Sequence, residues 1–147
     1  MTTELDVSGD LAHIFRRVER RLADRLRSAL EPTGCTVEQW WVLSLLSDGA
    51  GRTMSEVADY LLLPAPTVTK LVDRLVDNNI VYRQIDLADR RRVRIRLTSR
   101  GRSLHRRLAE LVERSDAALA AATGEGELLT GLLTRLSQTL GEQSQPK

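Results

Sequence analysis

The chain has one cysteine and two histidines, so it lacks the residues that a disulfide or a zinc site needs. A single cysteine forms no intramolecular disulfide, and two isolated histidines leave a metal ion without enough soft ligands. The sequence also contains no G-x-S-x-G element, P-loop or dinucleotide-binding glycine fingerprint. We therefore expect no catalytic residues, no metal and no cofactor, and we expect that the protein is not an enzyme.

Long hydrophobic runs are missing as well. No segment approaches the roughly 20 continuous apolar residues of a membrane span, and the start, MTTELDVSGD, has neither a cationic beginning nor an apolar run. We expect a cytoplasmic protein with no membrane partner. The length of 147 residues and the apolar content of 41% fit one compact domain, or two small lobes that share a core.

Positive charge is plentiful but confined to one part of the chain. Residues 83–106 contain nine arginines and two aspartates, a net charge of +7, whereas the whole chain carries only +2. Residues 1–82 and 107–147 are both mildly acidic, at −3 and −2. A basic centre between acidic ends indicates that a polyanion binds one face of the molecule.

The arginine-rich segment has the pattern of a β-hairpin, within residues 81–101. Val93, Ile95 and Leu97 alternate with arginines, and side chains in a strand alternate between two faces. One face is predicted to pack and the other to be cationic. The D-x-R element at the tip, Asp89 to Arg91, is expected to hold one guanidinium in place while its neighbours project towards phosphate.

Helical patterns surround this hairpin. Apolar residues recur every three or four positions from Asp10 to Leu30, and capping boxes at Thr36 and Thr53 predict the starts of two further helices. A fourth helix is predicted over residues 65–78, a long one from Ser99 to about residue 122, and a leucine-rich one after residue 126. The fourth helix turns polar side chains outward, and those we expect to touch DNA are Thr67, Thr69, Lys70 and Arg74.

Two short helices followed by a β-hairpin are the sequence order of a winged helix-turn-helix. The predicted fold is mainly α with a small β-wing. Residues 36–98 form the DNA-binding domain, and residues 1–35 and 99–147 form a helical region whose surplus of leucine predicts a homodimer interface.

Three segments carry a resemblance to the MarR (multiple-antibiotic-resistance regulator) family of transcription factors. They are GCTVEQWWVLSLL at 34–46, PTVTKLVDRL at 66–75, and the stretch 89–101, which ends in L-T-x-x-G. The chain departs from the family pattern at Asn79, where glycine is usual, and at Pro64-Ala-Pro66, which replaces a serine-rich start of the recognition helix. The left-handed backbone that asparagine tolerates accommodates the first departure.

The resemblance implies an obligate homodimer that binds a palindromic operator in double-stranded DNA, with recognition helices in successive major grooves and wings in the flanking minor grooves. It also implies a pocket for a small, often aromatic and anionic effector that lowers DNA affinity, and we expect a repressor. By position, the wing contacts are Asp89, Arg90, Arg91, Arg92 and Arg94. From helix position alone, the candidate pocket residues are His13, Arg17, Trp40 and Trp41.

Three alternatives compete with this interpretation. Cys35 would make the protein a redox-responsive regulator if its thiol were reactive, although a buried apolar role fits it better. The winged helix would otherwise serve as a protein-interaction module without an operator. A small enzyme using His13 or His105 is the third, although isolated histidines are more often surface or interface residues.

Overall fold

The structure, a computed structural model, describes residues 10–143 and divides into two compact units, the first ending at Val112 and the second beginning at Glu113. The elements are α1 (Leu11–Leu30), α2 (Val37–Leu45), α3 (Met54–Leu61), α4 (Ala65–Asp77), β1 (Val81–Ile85), β2 (Val93–Leu97), α5 (Ser99–Thr123) and α6 (Gly126–Gln143). The predicted order of helices around one hairpin is confirmed. Residues 1–9, where the sequence was examined for a leader, and residues 144–147 lie outside the described part.

Both predicted capping boxes are present. Thr36 Oγ1 accepts from the Gln39 backbone N–H at 3.2 Å, and Gln39 Oε1 accepts in return from the Thr36 N–H at 3.0 Å. Thr53 and Glu56 repeat the arrangement at 3.2 and 2.7 Å. These bonds satisfy backbone donors that have no partner inside the helix, so α2 and α3 begin where the sequence indicates.

The junctions on either side of α4 use left-handed residues other than glycine. Leu62 has a φ of 54°, so α3 ends at Leu61, two residues earlier than its apolar run suggests. Asn79, after α4, has a φ of 55°, which confirms the predicted left-handed cap. Both residues turn the chain sharply, and they set the directions in which α4 enters and leaves the lobe.

The core of the first unit is built from α1 to α5 and the base of the hairpin. Its buried residues are Leu30, Val37, Val42, Leu43, Leu46, Val57, Leu61, Val68, Val72, Leu75, Ile80, Val81, Ile95, Leu97 and Leu108. The prediction that all three apolar residues of β2 pack is wrong for Val93, which is exposed. The distal half of the hairpin extends beyond the core, so only Ile95 and Leu97 reach it.

The L-T-x-x-G segment joins the wing to α5 by close backbone packing. Thr98 N–H and Thr98 Oγ1 both donate to the Ile80 carbonyl, at 3.0 and 3.1 Å, and Thr98 Oγ1 accepts from the Gly101 N–H at 2.9 Å. A Cβ on Gly101 would lie 2.1 Å from the Ile80 oxygen. Glycine is therefore required at this position for α5 to sit against the end of the α4–β1 connection.

The second unit contains the end of α5 and all of α6. The chain turns between these helices at Gly124, which has a φ of 73°. α6 presents an apolar face that no part of the described chain covers, formed by the exposed leucines Leu128, Leu129, Leu132 and Leu140.

Candidate nucleic-acid interface

The predicted recognition helix α4 separates an apolar side from a polar one. Val68, Val72 and Leu75 are buried. The four residues expected to contact DNA are all exposed, and they are Thr67, Thr69, Lys70 and Arg74. Pro64 caps the helix start and Pro66 lies in its first turn, where a missing N–H costs little. The helix therefore presents hydroxyl, ammonium and guanidinium groups together on one side.

The wing is an antiparallel hairpin with a braced tip. Ile85 pairs with Val93 at its outer end, and Val81 pairs with Leu97 at its base. At the tip, the Asp86 N–H donates to the Arg92 carbonyl and the Arg92 N–H donates to the Asp89 carbonyl, both at 2.9 Å. These bonds close the tip, so it presents its side chains from a defined backbone.

The D-x-R element works differently from the sequence expectation. The Asp89 carboxylate accepts from the backbone N–H of Arg91 at 3.0 Å, not from its guanidinium. The guanidinium that pairs with Asp89 belongs to Arg92, with Nε 3.6 Å from Oδ2. A carboxylate that accepts from a backbone N–H two residues on shapes the turn itself, and this leaves the Arg91 side chain to project.

A second aspartate, Asp86, anchors Arg94. Arg94 Nε donates to Asp86 Oδ2 at 2.8 Å, and Arg94 Nη1 lies 3.4 Å from the Gly51 carbonyl oxygen. The hydrogen bond from Arg94 is the main cause that lowers the pKa of Asp86, and the same bond raises the pKa of Arg94. Arg94 thus has partners within the protein, and its role as a DNA contact stays a prediction.

The inner half of β2 is also tied to the loop between α2 and α3. Arg52 and Ile95 form a backbone bridge, with N–H to carbonyl distances of 3.1 and 2.7 Å, and the Arg96 guanidinium donates to the Gly49 carbonyl. The alternation in the sequence placed Arg96 on the cationic face of the hairpin, whereas its guanidinium is bound to this loop. The wing is therefore hydrogen-bonded to this loop.

The arginines of the basic segment therefore fall into two groups. Those with partners within the protein are Arg83, Arg92, Arg94, Arg96, Arg102 and Arg106. Among residues 10–143, no hydrogen bond or ion pair engages the guanidiniums of Arg90, Arg91 or Arg100, and all three are exposed. The cations free to meet a polyanion are thus concentrated at the wing tip and the start of α5.

One ion pair that sequence reasoning missed links the wing to the recognition helix. Arg83 of β1 donates to Asp73 of α4 at 2.5 Å. The two residues are ten positions apart, and they meet because the left-handed turn at Asn79 folds β1 back beside α4. The only sequence signal was the outward position of Asp73 between Lys70 and Arg74.

Within residues 10–143, no side-chain hydrogen bond, ion pair or ring contact joins any two of the four candidate pocket residues. His13 is exposed and Arg17 half-buried on α1, while Trp40 and Trp41 are half-buried and pack against the core. The aromatic partner of Trp40 is His105 of α5, with ring centroids 5.3 Å apart and planes 5° from parallel. Burial lowers the pKa of His105, which favours the neutral ring in this stack.

Cys35 lies half-buried before α2, and its thiol donates to the Thr36 carbonyl at 3.4 Å. Burial raises the pKa of the thiol to about 11. Since the thiolate is the reactive form, this environment suppresses reactivity.

Among residues 10–143, no group of three or more histidine, cysteine, aspartate or glutamate side chains is placed to hold a metal ion. None of the helices in that range has the length and apolar content that a membrane span needs. A groove of about 340 Å³ opens between α3 and α4, lined by Met54, Ala58, Asp59, Leu63 and Thr69 among others. It borders the polar face of α4 at Thr69.

Comparison with known proteins agrees with this architecture. The sequence model of the MarR family matches residues 33–92. The uncharacterized HTH-type transcriptional regulator YwoH of Bacillus subtilis is 36% identical over 78 residues, covering 53% of this chain and 57% of that protein. The chain thus matches little more than half of the length of that relative.

Two solved structures extend the similarity over most of the chain. The transcriptional repressor CouR, bound to a 23-mer DNA duplex, superposes with a TM-score of 0.77 at 27% identity, covering 88% of this chain and 92% of that one. Rv2887 of Mycobacterium tuberculosis, in complex with salicylic acid, superposes with a TM-score of 0.73 at 25% identity over 90% and 99% of the two chains. Residues 33–92 thus match the MarR family, and the capped helix-turn-helix and braced wing have the fold of the winged-helix transcriptional regulators that the chain resembles.

Proposed function

We propose that this protein is a transcriptional repressor that binds a palindromic operator in double-stranded DNA as a homodimer and releases it when a small effector binds. The observation that carries the proposal is the geometry of the wing. Backbone hydrogen bonds and the aspartates close its tip, and within residues 10–143 the guanidiniums of Arg90 and Arg91 have no acidic partner. A guanidinium on a fixed backbone loses less conformational entropy when it meets phosphate or a narrow minor groove.

The contacts are divided between the two elements. Thr67, Thr69, Lys70 and Arg74 of α4 face the major groove, where hydroxyl and cationic groups meet base edges and phosphates. Arg90 and Arg91 meet the flanking minor groove. Arg92 binds the same groove more weakly, because its guanidinium also pairs with the Asp89 carboxylate at 3.6 Å. Asp89 and Arg94 support the wing from within.

A second copy of the chain supplies the other half of the operator site. α1 and α6 each carry exposed apolar residues, among them Leu22 and Leu132. An uncovered apolar helix face is costly in water, and a symmetric dimer would cover it. We assign dimerisation to residues 1–35 and 99–147 and DNA binding to residues 36–98.

The test is selection of bound fragments from sheared genomic DNA, followed by measurement of affinity over a range of salt concentrations. A dimer on a palindrome yields fragments with two half-sites about 10 base pairs apart. Each lost phosphate contact lowers the salt slope by about 0.9, so Arg91→Ala, which acts in both subunits, should lower it by about 1.8.

Arg107→Ala is the matched control, because Arg107 is an exposed arginine of α5 outside the hairpin. It should leave both affinity and salt slope nearly unchanged. Equal effects of the two substitutions would contradict the wing assignment, and absence of duplex binding at low salt would contradict the function itself.

The effector we propose is a small aromatic anion, of the kind that the related Rv2887 structure contains. Arg17 offers charge, His13 a polar ring, and Trp40 and Trp41 aromatic faces. The chain has only two tryptophans, Trp40 and Trp41, so its tryptophan fluorescence, excited selectively over tyrosine, reports on this region alone. Salicylate should quench that fluorescence and release DNA over the same concentration range. Release without quenching would place the effector elsewhere.

The alternatives receive less support. Thiol burial, with a pKa of about 11, opposes a redox response through Cys35. His105 stacks on Trp40 and His13 is exposed, so neither is set beside a second catalytic group. A DNA-binding repressor acts where the chromosome is, and we place this one in the cytoplasm.

A further inference from the structure

The outer half of the wing carries apolar side chains that the described part of the chain leaves uncovered. Leu87 at the tip is 92% exposed, Ile85 is 60% exposed and Val93 is 39% exposed. Ile85 and Val93 are directly paired across the hairpin. Paired residues project to the same side of a sheet, so these two form one continuous apolar patch beside the tip.

This patch continues the face that packs lower down. Val93 and Ile95 are two residues apart on β2 and therefore share a side, but Ile95 is fully buried and Val93 is not. The face that holds the base of the wing against the core thus runs outward past the edge of the lobe. Polar residues there would serve the fold equally well, because no core lies beneath them.

The groups around Leu87 show what kind of surface it would meet. Asp86, its neighbour, is occupied by Arg94 and by the Ala88 N–H. Arg90 and Arg91, three and four residues on, have no acidic partner within residues 10–143. These cations would contact a negatively charged surface favourably, and Leu87 would contact an apolar one. The minor groove of a DNA duplex provides both, with phosphates along its edges and deoxyribose carbons on its walls.

We infer that Leu87, backed by Ile85 and Val93, packs against deoxyribose in the minor groove when the wing binds, so that the wing grips DNA by apolar contact as well as by charge. The inference rests on the proposed DNA-binding function. It gives Leu87 a role that is independent of ionic strength. Apolar burial releases no counterions, whereas contacts of Arg90 and Arg91 with phosphate do.

The experiment compares Leu87→Ala with Tyr60→Ala on a duplex recovered from the genomic selection. Tyr60 is the control, because it is a 52% exposed apolar side chain of α3, outside both the hairpin and the recognition helix. Leu87→Ala should weaken binding about tenfold at every salt concentration, with the salt slope unchanged. Tyr60→Ala should bind as the unmodified protein does, and Leu87→Met should restore most of the affinity.

Each other result overturns the inference. Unchanged affinity of Leu87→Ala would mean that the side chain does not touch DNA. A reduced salt slope would mean that Leu87 acts by positioning the arginines. A shift in oligomeric state by sedimentation would mean that the patch binds protein. If the unmodified protein fails to bind duplexes, the proposed function and the Leu87 contact are both wrong. If the unmodified protein and Leu87→Ala bind equally well, only the Leu87 contact is wrong.

Discussion

Gly101 is the position at which one added methyl group should do the most damage. A Cβ there would lie 2.1 Å from the Ile80 carbonyl oxygen, 3.1 Å from its carbon and 3.3 Å from Leu97 Cδ2. The nearest of these atoms belongs to backbone, which cannot swing aside as a flexible side chain can. Gly101→Ala therefore forces α5 away from the α4–β1 connection.

The magnitude follows from two opposing effects. Replacing glycine by alanine in a helix normally stabilises it by about 1 kcal/mol. Here the overpacking costs about 1–3 kcal/mol, and separation weakens the bonds from Thr98 to the Ile80 carbonyl, at about 1 kcal/mol each. We expect a net loss of about 2–4 kcal/mol in the free energy of unfolding.

The measurement is urea unfolding followed by far-UV circular dichroism, at one protein concentration because a dimer's stability depends on it. Gly131→Ala is the matched control, since Gly131 lies within α6 and its Cβ would meet nothing within 4 Å. It should gain up to about 1 kcal/mol. A Gly101→Ala protein as stable as the unmodified one would refute the reasoning, and equal losses at both glycines would show that the contact with Ile80 is not the cause.

Three further outcomes are expected. Asp86→Asn should weaken DNA binding several-fold, because it frees Arg94 from the wing; higher affinity would mean that charge alone matters. Cys35 should react with iodoacetamide at pH 8 about a hundredfold more slowly than a free cysteine, by mass spectrometry, and equal rates would contradict its burial. The folded pKa of His105 is lowered, so its contribution to stability is complete above the unfolded value near 6.5 and is lost as the pH falls through the folded one. In His105→Phe, the unfolding midpoint should decrease less as the pH falls through that range. An unchanged pH dependence of the midpoint would contradict this role of His105.

Local sequence patterns predicted most of the helices and the hairpin, because the interactions that start and end helices act within a few residues. The capping boxes at Thr36 and Thr53 and the left-handed cap at Asn79 are examples, and all three are confirmed. The apolar run of α3 continues past Leu61, but the helix ends there because the backbone turns at Leu62. Hydrophobicity does not report a turn made by a leucine with positive φ.

The amino-acid sequence by itself determined that a basic hairpin follows a helix pair, since residue spacing and charge are local properties. Only the tertiary structure decided which arginines are free. Arg94 and Arg96 alternate along β2, yet their guanidiniums meet Asp86 and the 49–51 backbone, whereas those of Arg90 and Arg91 have no hydrogen bond or ion pair in the described chain. Ion pairs form between groups that the fold brings within a few ångströms, and composition counts charges without their neighbours.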